Sequence, residues 1–239
     1  MKVAGNRSAG LTLIEVLVAI SLLSLLSVSI LMALRVGAGA WERTNTNLML
    51  DRRIATANAI FHAELEGIFP GWAEFDDPAT RTPHVFVFFQ GQPASMRFLT
   101  SYSLSNGPRG GLRLIELLVT DGPRGKRVLL NEQGYGDPKA AGRLVTGVID
   151  DRSGRGARFS FAPIVPQPAS FIIADELQNC SFSYLTEKVR NEPQRWAAVW
   201  LDPYRLPTAV GIQLTPRQDS ARLQPVAVTV PIRATMWSP

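Results

Sequence analysis

The sequence predicts an α+β fold in which one long N-terminal helix, transmembrane in its first half, packs on an antiparallel β-sheet domain. Three observations lead to this prediction. Residues 11–34 contain a single charged side chain, that of Glu15. An apolar stripe at helical spacing then continues to about residue 66. From residue 67 onward, short runs rich in Val, Ile, Phe and Leu alternate with clusters of Gly, Pro, Asp and Asn, as expected for strands and turns.

The composition is that of a globular protein with an uneven distribution of apolar residues. The 239 residues carry a formal net charge of +5, and the arginines are scattered among acidic residues without a run of four or more basic residues. Such a pattern indicates a solvated surface, so no nucleic-acid partner is expected. Cys180 is the only cysteine, which excludes an intramolecular disulfide and favours a role as a small buried apolar residue.

The N-terminal segment begins with ten residues that include Lys2 and Arg7 and no acid. As a helix, residues 11–34 would be about 36 Å long, and a bilayer has a hydrocarbon core of about 30 Å. A secretory signal peptide has a shorter apolar core. A plain signal anchor fits the length and the basic flank but leaves Glu15 unexplained, because a charge within the bilayer costs roughly 2.5–3.5 kcal/mol without a partner.

The ten residues from Gly10 to Ala19, GLTLIEVLVA, resemble the processing site of type IV prepilins and type II secretion pseudopilins. The resemblance implies a pilin-like architecture and removal of residues 1–10 by a prepilin peptidase, between Gly10 and Leu11. It also implies N-methylation of Leu11, where the family usually has Phe. Glu15 would then neutralise the new amine of a neighbouring subunit, which offsets the cost of burying both charges and sets the register of assembly.

The helical pattern continues beyond the apolar run. A stripe with spacings of 4, 3, 4 and 4 predicts that the second half of the helix is amphipathic, until Gly67 and Pro70 end it. We therefore divide the chain into a leader (1–10), a long helix (11–66, membrane-spanning over 11–34 and then amphipathic) and a β-rich globular domain (67–239). The stripe consists of Leu50, Ile54, Ala57, Phe61 and Leu65.

Alternation of apolar residues in several runs indicates antiparallel sheet with one solvated face. Segments rich in Pro and Gly are predicted as loops, namely 103–111, 120–143 and 151–170. The predicted strands are His84–Phe89, Met96–Tyr102, Leu112–Val119, Arg127–Leu130, Leu144–Ile149, Gln178–Tyr184, Ala197–Trp200, Ala209–Leu214 and Val226–Arg233.

Three segments near the C-terminus resemble the J-type minor pseudopilins of type II secretion. They are Phe182–Leu185, the stretch from Gln194 to Trp200 with two tryptophans, and Leu206–Leu214, which begins Leu-Pro-Thr-Ala-Val. The resemblance implies a structural role at the pseudopilus tip, with I-type and K-type minor pseudopilins and the major pseudopilin as partners. It also implies a single-pass protein of the bacterial inner membrane with a periplasmic globular domain.

The sequence contains no motif typical of catalysis, metal binding or cofactor binding. His62 and His84 are the only histidines, and the chain has no C-x-x-C, G-x-S-x-G or phosphate-binding loop. We therefore expect no enzyme activity, no metal and no cofactor. Two alternatives to the pseudopilin interpretation remain open. One is a minor pilin of a type IV pilus or competence system, and the other is a signal-anchored periplasmic enzyme or binding protein.

Overall fold

The computed structural model describes residues 12–107, 111–151, 156–187, 193–200, 202–217 and 225–234. It confirms the predicted α+β fold, a long N-terminal helix followed by an antiparallel sheet domain. The elements are α1 (Leu13–Glu66), β1 (Trp72–Asp76), β2 (Pro83–Val87), β3 (Phe89–Gln92), β4 (Ser95–Thr100), β5 (Arg113–Gly122), β6 (Gly125–Gly134), α2 (Pro138–Gly142), β7 (Val145–Asp151), β8 (Gly156–Phe161), β9 (Phe171–Leu185), β10 (Trp196–Ala197), β11 (Ala209–Pro216) and β12 (Val226–Pro231).

The chain divides into two compact units, and the boundary between Leu50 and Asp51 falls within α1. Residues 51–66 of α1 therefore belong to the same unit as the sheet. Helix α1 ends where Gly67 and Ile68 donate backbone hydrogen bonds to Ala63 and Leu65 at 3.1 and 3.3 Å.

An eight-stranded antiparallel sheet forms the centre of the second unit. Its strand order is β12-β11-β9-β6-β5-β4-β3, and β10 pairs with the end of β9. Two further antiparallel pairs, β1–β2 and β7–β8, form separate two-stranded ribbons.

Residues 51–66 of α1 cover one face of the large sheet. Ala57, Phe61 and Leu65 are fully buried in a core cluster with Met96 and Phe98 of β4. The amphipathic stripe predicted from the sequence thus lies against the sheet, although Leu50 lies outside the residues whose side chains the structure describes. Because side chains alternate between the faces of a strand, Leu99 points to the opposite face.

A second layer covers that opposite face over part of the sheet. Leu99 and Leu114 join a separate core cluster with residues of β1, β2, α2, β7 and β8. The rings of Phe86 and Phe159 stack there with their centroids 4.0 Å apart. A sheet with both faces buried in its centre explains the near-continuous apolar run in β5.

Two of the predicted loops are wrong over part of their length. Residues 120–122 form the end of β5, and residues 125–134 form the whole of β6, which contains the predicted strand Arg127–Leu130. The two strands are joined in a hairpin in which Lys126 binds Asp121 at 2.6 Å. Charged side chains at the tip of a hairpin reach solvent even when the backbone is in a strand. Their polarity is therefore no evidence for a loop. Residues 156–161 form β8, which is paired with β7 and supplies Phe159 to the second layer. Strand β1, with its mixed burial pattern, was not predicted.

Truncating the α1 stripe tests how strongly the helix is held on the sheet. We expect Phe61→Ala to lower the free energy of unfolding of the sheet domain by about 3–5 kcal/mol, because it leaves a cavity beneath α1. Urea unfolding of the full chain in detergent micelles measures this change. Arg52→Ala, at an exposed position one turn into the same segment, is the matched control and should change stability by less than about 0.5 kcal/mol. Equal effects of the two substitutions would contradict this packing.

Candidate assembly site

The first turn of α1 presents a carboxylate at the start of a stretch, residues 13–34, that has no other charged side chain. Glu15 and Val16 donate backbone hydrogen bonds to the carbonyl of Thr12 at 3.1 and 3.3 Å, so the turn begins there. The Glu15 side chain is exposed, and within the described chain it has no ion-pair partner. A carboxylate near a helix N-terminus is favoured by the exposed N–H groups. The two residues of the predicted cleavage site, Gly10 and Leu11, lie outside the described residues.

The surface of α1 between Leu13 and Trp41 is apolar and uncovered. This stretch of 29 residues is long and apolar enough to cross a membrane, and none of it is buried within the described chain. Every large apolar side chain in this stretch is at least 42% exposed. At its two ends, Leu13 is 86% exposed and Trp41 is 78% exposed. Soluble monomers rarely expose so large a contiguous apolar surface, so a membrane or other helices must cover it.

The hydroxyl groups in this stretch are satisfied within the helix itself. Ser21, Ser24, Ser27 and Ser29 each donate to the carbonyl four residues earlier at 2.8 Å. In a hydrocarbon environment an unsatisfied hydroxyl is costly, and these bonds remove that cost. Apart from Glu15, the helix therefore presents no polar group that needs a partner between residues 13 and 34.

The residues of the C-terminal resemblance come together around the end of β9. Tyr184 is fully buried, donates a hydrogen bond to the carbonyl of Gln92 at 2.9 Å, and packs its ring directly on Gly91. Gly91 and Trp200 exchange backbone hydrogen bonds at 2.9 and 2.8 Å. The Trp200 indole is almost buried and donates to the carbonyl of Arg205 at 3.0 Å. Here Gly91 is required because only a residue without Cβ admits the Tyr184 ring.

The other tryptophan of this segment, Trp196, lies on the sheet surface. Trp196 of β10 pairs with Leu185 of β9, and its side chain is 48% exposed. Its ring lies against Gly211 of β11, where an added Cβ would come within 3.0 Å of it. Strands β9, β10 and β11 thus bring the three segments of the resemblance into one continuous patch.

Cys180 is buried, and burial raises the pKa of its thiol to about 12. A thiol with so high a pKa is not ionised near neutral pH and is a poor nucleophile. Its position in the main core cluster agrees with the apolar role predicted from the sequence.

Sequence reasoning missed a buried carboxylate on α1. Glu64 is 0% exposed, and neither of its carboxylate oxygens has a hydrogen-bond partner in the described structure. Burial, with a smaller contribution from negatively charged Glu132, raises its pKa from 4.5 to about 8. The signal was present, because Glu64 continues the spacing of Ala57 and Phe61 and so falls on the stripe that faces the sheet.

Comparison with known proteins bears on the N-terminal segment. Residues 5–31 match a family model described as the prokaryotic N-terminal methylation motif. The chain therefore carries a type IV pilin-like prepilin signal, and the matched residues include the first part of a helix able to anchor it in a membrane. A search of curated proteins finds no match to the chain.

Adding a single methyl group at Gly91 tests the close contact with Tyr184. We expect Gly91→Ala to destabilise the sheet domain by about 1–3 kcal/mol, because the buried ring cannot move away. Thermal or urea unfolding of the full chain measures the loss. Gly136→Ala is the matched control, since an added Cβ there meets nothing within 4 Å. The contact is wrong if Gly91→Ala destabilises the domain no more than this control does. It is also wrong if Gly91→Ala costs as much stability in a Tyr184→Leu background as it does in the wild type.

Proposed function

We propose that this protein is a structural, assembly-initiating minor pseudopilin of the J type, which acts at the tip of a type II secretion pseudopilus in protein export. The observation that carries the proposal is the prepilin signal at residues 5–31 joined to a helix whose apolar surface is uncovered from Leu13 to Trp41. A signal for processing and methylation that runs into such a helix is typical of a subunit that first sits in the membrane and then packs among other helices.

The proposed assembly step uses the chemistry of the first turn. Cleavage between Gly10 and Leu11 by a prepilin peptidase creates a new amine, which is N-methylated and remains cationic. Glu15 follows four residues later in the sequence, in the first turn of α1. In a dry helix bundle neither charge is tolerated alone, and pairing across neighbouring subunits offsets the desolvation of both. The exposed carboxylate of Glu15 is free to make this pair.

The J-type assignment rests on the patch formed by β9, β10 and β11. The segments of the resemblance, 182–185, 194–200 and 206–214, are separate in sequence and adjacent in the fold. We propose the I-type and K-type minor pseudopilins and the major pseudopilin as partners, and the bacterial inner membrane with a periplasmic domain as the location. The role proposed is structural, without catalysis, metal or cofactor.

A minor pilin of a type IV pilus or competence system is the second candidate, because the prepilin signal is common to both systems. The net charge of +5 favours it slightly, since some pilins bind anionic surfaces or DNA. Genome neighbours separate the two: a secretion ATPase and other pseudopilins support the first, and pilus retraction genes support the second. A signal-anchored periplasmic binding protein would instead retain an intact N-terminus.

Substitution of the glycine before the cut tests the processing site. We expect Gly10→Ala to leave residues 1–10 attached and to block incorporation into filaments, because a peptidase of this type cuts after a glycine. Mass spectrometry of the membrane form should show wild type beginning at methylated Leu11. Gly5→Ala, at another glycine of the leader, is the matched control and should be processed normally. A wild-type chain that retains Lys2 and Arg7 would refute the prepilin interpretation.

Substitution of the carboxylate tests the assembly step. We expect Glu15→Ala to insert into the membrane normally but to reduce co-purification with partner pseudopilins by at least about tenfold, because the partner's amine is left buried without a counter-ion. Affinity capture of I-type and K-type subunits from detergent extracts measures the loss. Ser24→Ala, which removes a hydroxyl bonded only within the helix, should leave capture unchanged. Unchanged capture with Glu15→Ala would remove the proposed pairing while leaving the processing prediction intact.

A further inference from the structure

The interface between α1 and the large sheet contains a carboxylate at its centre. Glu64 lies between Phe61 and Leu65, and all three side chains are excluded from solvent. Its backbone carbonyl accepts a hydrogen bond from the Thr100 hydroxyl at 3.1 Å, which ties this turn of α1 to β4. Its two carboxylate oxygens are also buried and have no hydrogen-bond partner in the described structure.

The charged groups around Glu64 do not neutralise it. The negative charge of Glu132 in β6 disfavours ionisation of Glu64. Arg113 of β5 is bound to Glu132 at 3.3 Å. Glu132 also accepts hydrogen bonds from Ser103 and Ser105, which follow β4.

The remaining titratable groups nearby do not reach the buried carboxyl. On α1 itself, His62 and Glu66 lie 3.7 Å apart and both are about half-exposed, so they form a separate surface pair. Tyr102, the titratable side chain just after β4, lies beside Gly67 at the end of the helix. Within the described chain, therefore, Glu64 faces a negative neighbour and no available cation.

An ionised carboxylate in such a position is strongly disfavoured, and the group is accommodated only as the neutral acid. A buried charge without a partner does not persist: it takes up a proton, or the structure opens and lets in water. We propose that the interface between residues 51–66 of α1 and the sheet is controlled by a proton on Glu64, closed when Glu64 is protonated and opening when it ionises.

The direction of the pH dependence follows from the pKa of Glu64 in the two states. Its pKa is about 8 when buried and 4.5 when the carboxyl is solvated. Between these values the closed state holds one proton more than the open state, so stability of the interface falls as pH rises. The stabilisation is complete below about pH 4.5, is lost progressively up to about pH 8, and changes no further above it. One linked proton corresponds to at most about a tenfold change in the opening equilibrium per pH unit.

Neutral pH lies within the range over which the stability of the interface depends on pH. A change in external pH would alter how readily the last four turns of α1 separate from the sheet, without any change at the N-terminal signal. The inference does not depend on the proposed function, since it concerns contacts within the second unit alone.

Amide hydrogen exchange of the full chain in detergent micelles tests this proposal, after correction for intrinsic exchange rates. In the wild type, the opening constant for peptides covering residues 57–66 should rise from pH 5.5 to pH 7.5, by up to about a hundredfold. Glu64→Gln, which is neutral at every pH, should abolish this rise and remain protected at pH 7.5. Glu64→Met provides a second neutral side chain of similar length in case the buried amide itself perturbs packing.

Glu66→Gln is the matched control, because it lies two residues away, is exposed and breaks the surface pair with His62. It should retain the pH dependence of the wild type. A wild type with pH-independent protection would overturn the proposal. The proposal would also fail if Glu64→Gln and Glu64→Met kept the pH dependence of the wild type. Loss of the pH dependence in Glu66→Gln would likewise contradict it, because the dependence would then come from the surface pair.

Discussion

The apolar surface of α1 between Leu13 and Trp41 is the constraint on which the rest of this protein depends. The described chain offers nothing to cover it, and its serine hydroxyls are already bonded to the helix backbone. Only hydrocarbon or other apolar helices can therefore receive it. In the proposed assembly, Glu15 sets the axial position of a neighbouring helix, because it is the one charged side chain between residues 13 and 34.

The sheet domain shows how buried charge is accommodated when partners exist. Arg97 of β4 and Glu116 of β5 face each other across the strands and bind at 2.7 Å beneath the second layer. Gln90 accepts a further hydrogen bond from Arg97 at 2.8 Å, and Asn131 donates one to Glu116 at 3.0 Å. These side chains form a satisfied row across β3, β4, β5 and β6. Shifting the register of one strand would leave a buried charge unpaired, so the row helps to specify the pairing.

Glu64 presents the opposite case on the other face of the same sheet. It is as deeply buried as Arg97, but Glu132, the charged neighbour that acts on it within the described structure, is also negative. Arg113 is already bound to Glu132. A satisfied pair contributes to a unique structure over a broad pH range, whereas an unpaired carboxyl makes stability depend on a proton. The two faces of the sheet thus differ in whether their buried charged groups have partners within the described structure.

The sequence by itself determined the features that depend on local periodicity and composition. The apolar run, the stripe ending near Leu65 and the prepilin signal are all continuous in the chain, and many turns could be recognised from Gly and Pro. Only the tertiary structure decided the features that depend on partners distant in sequence. It extended the hairpin β5–β6, paired β8 with β7, placed Gly91 beneath Tyr184, and left the Glu64 carboxylate without a hydrogen-bond partner among the described residues. Local patterns show which way a side chain faces, but they do not show which group it will meet there.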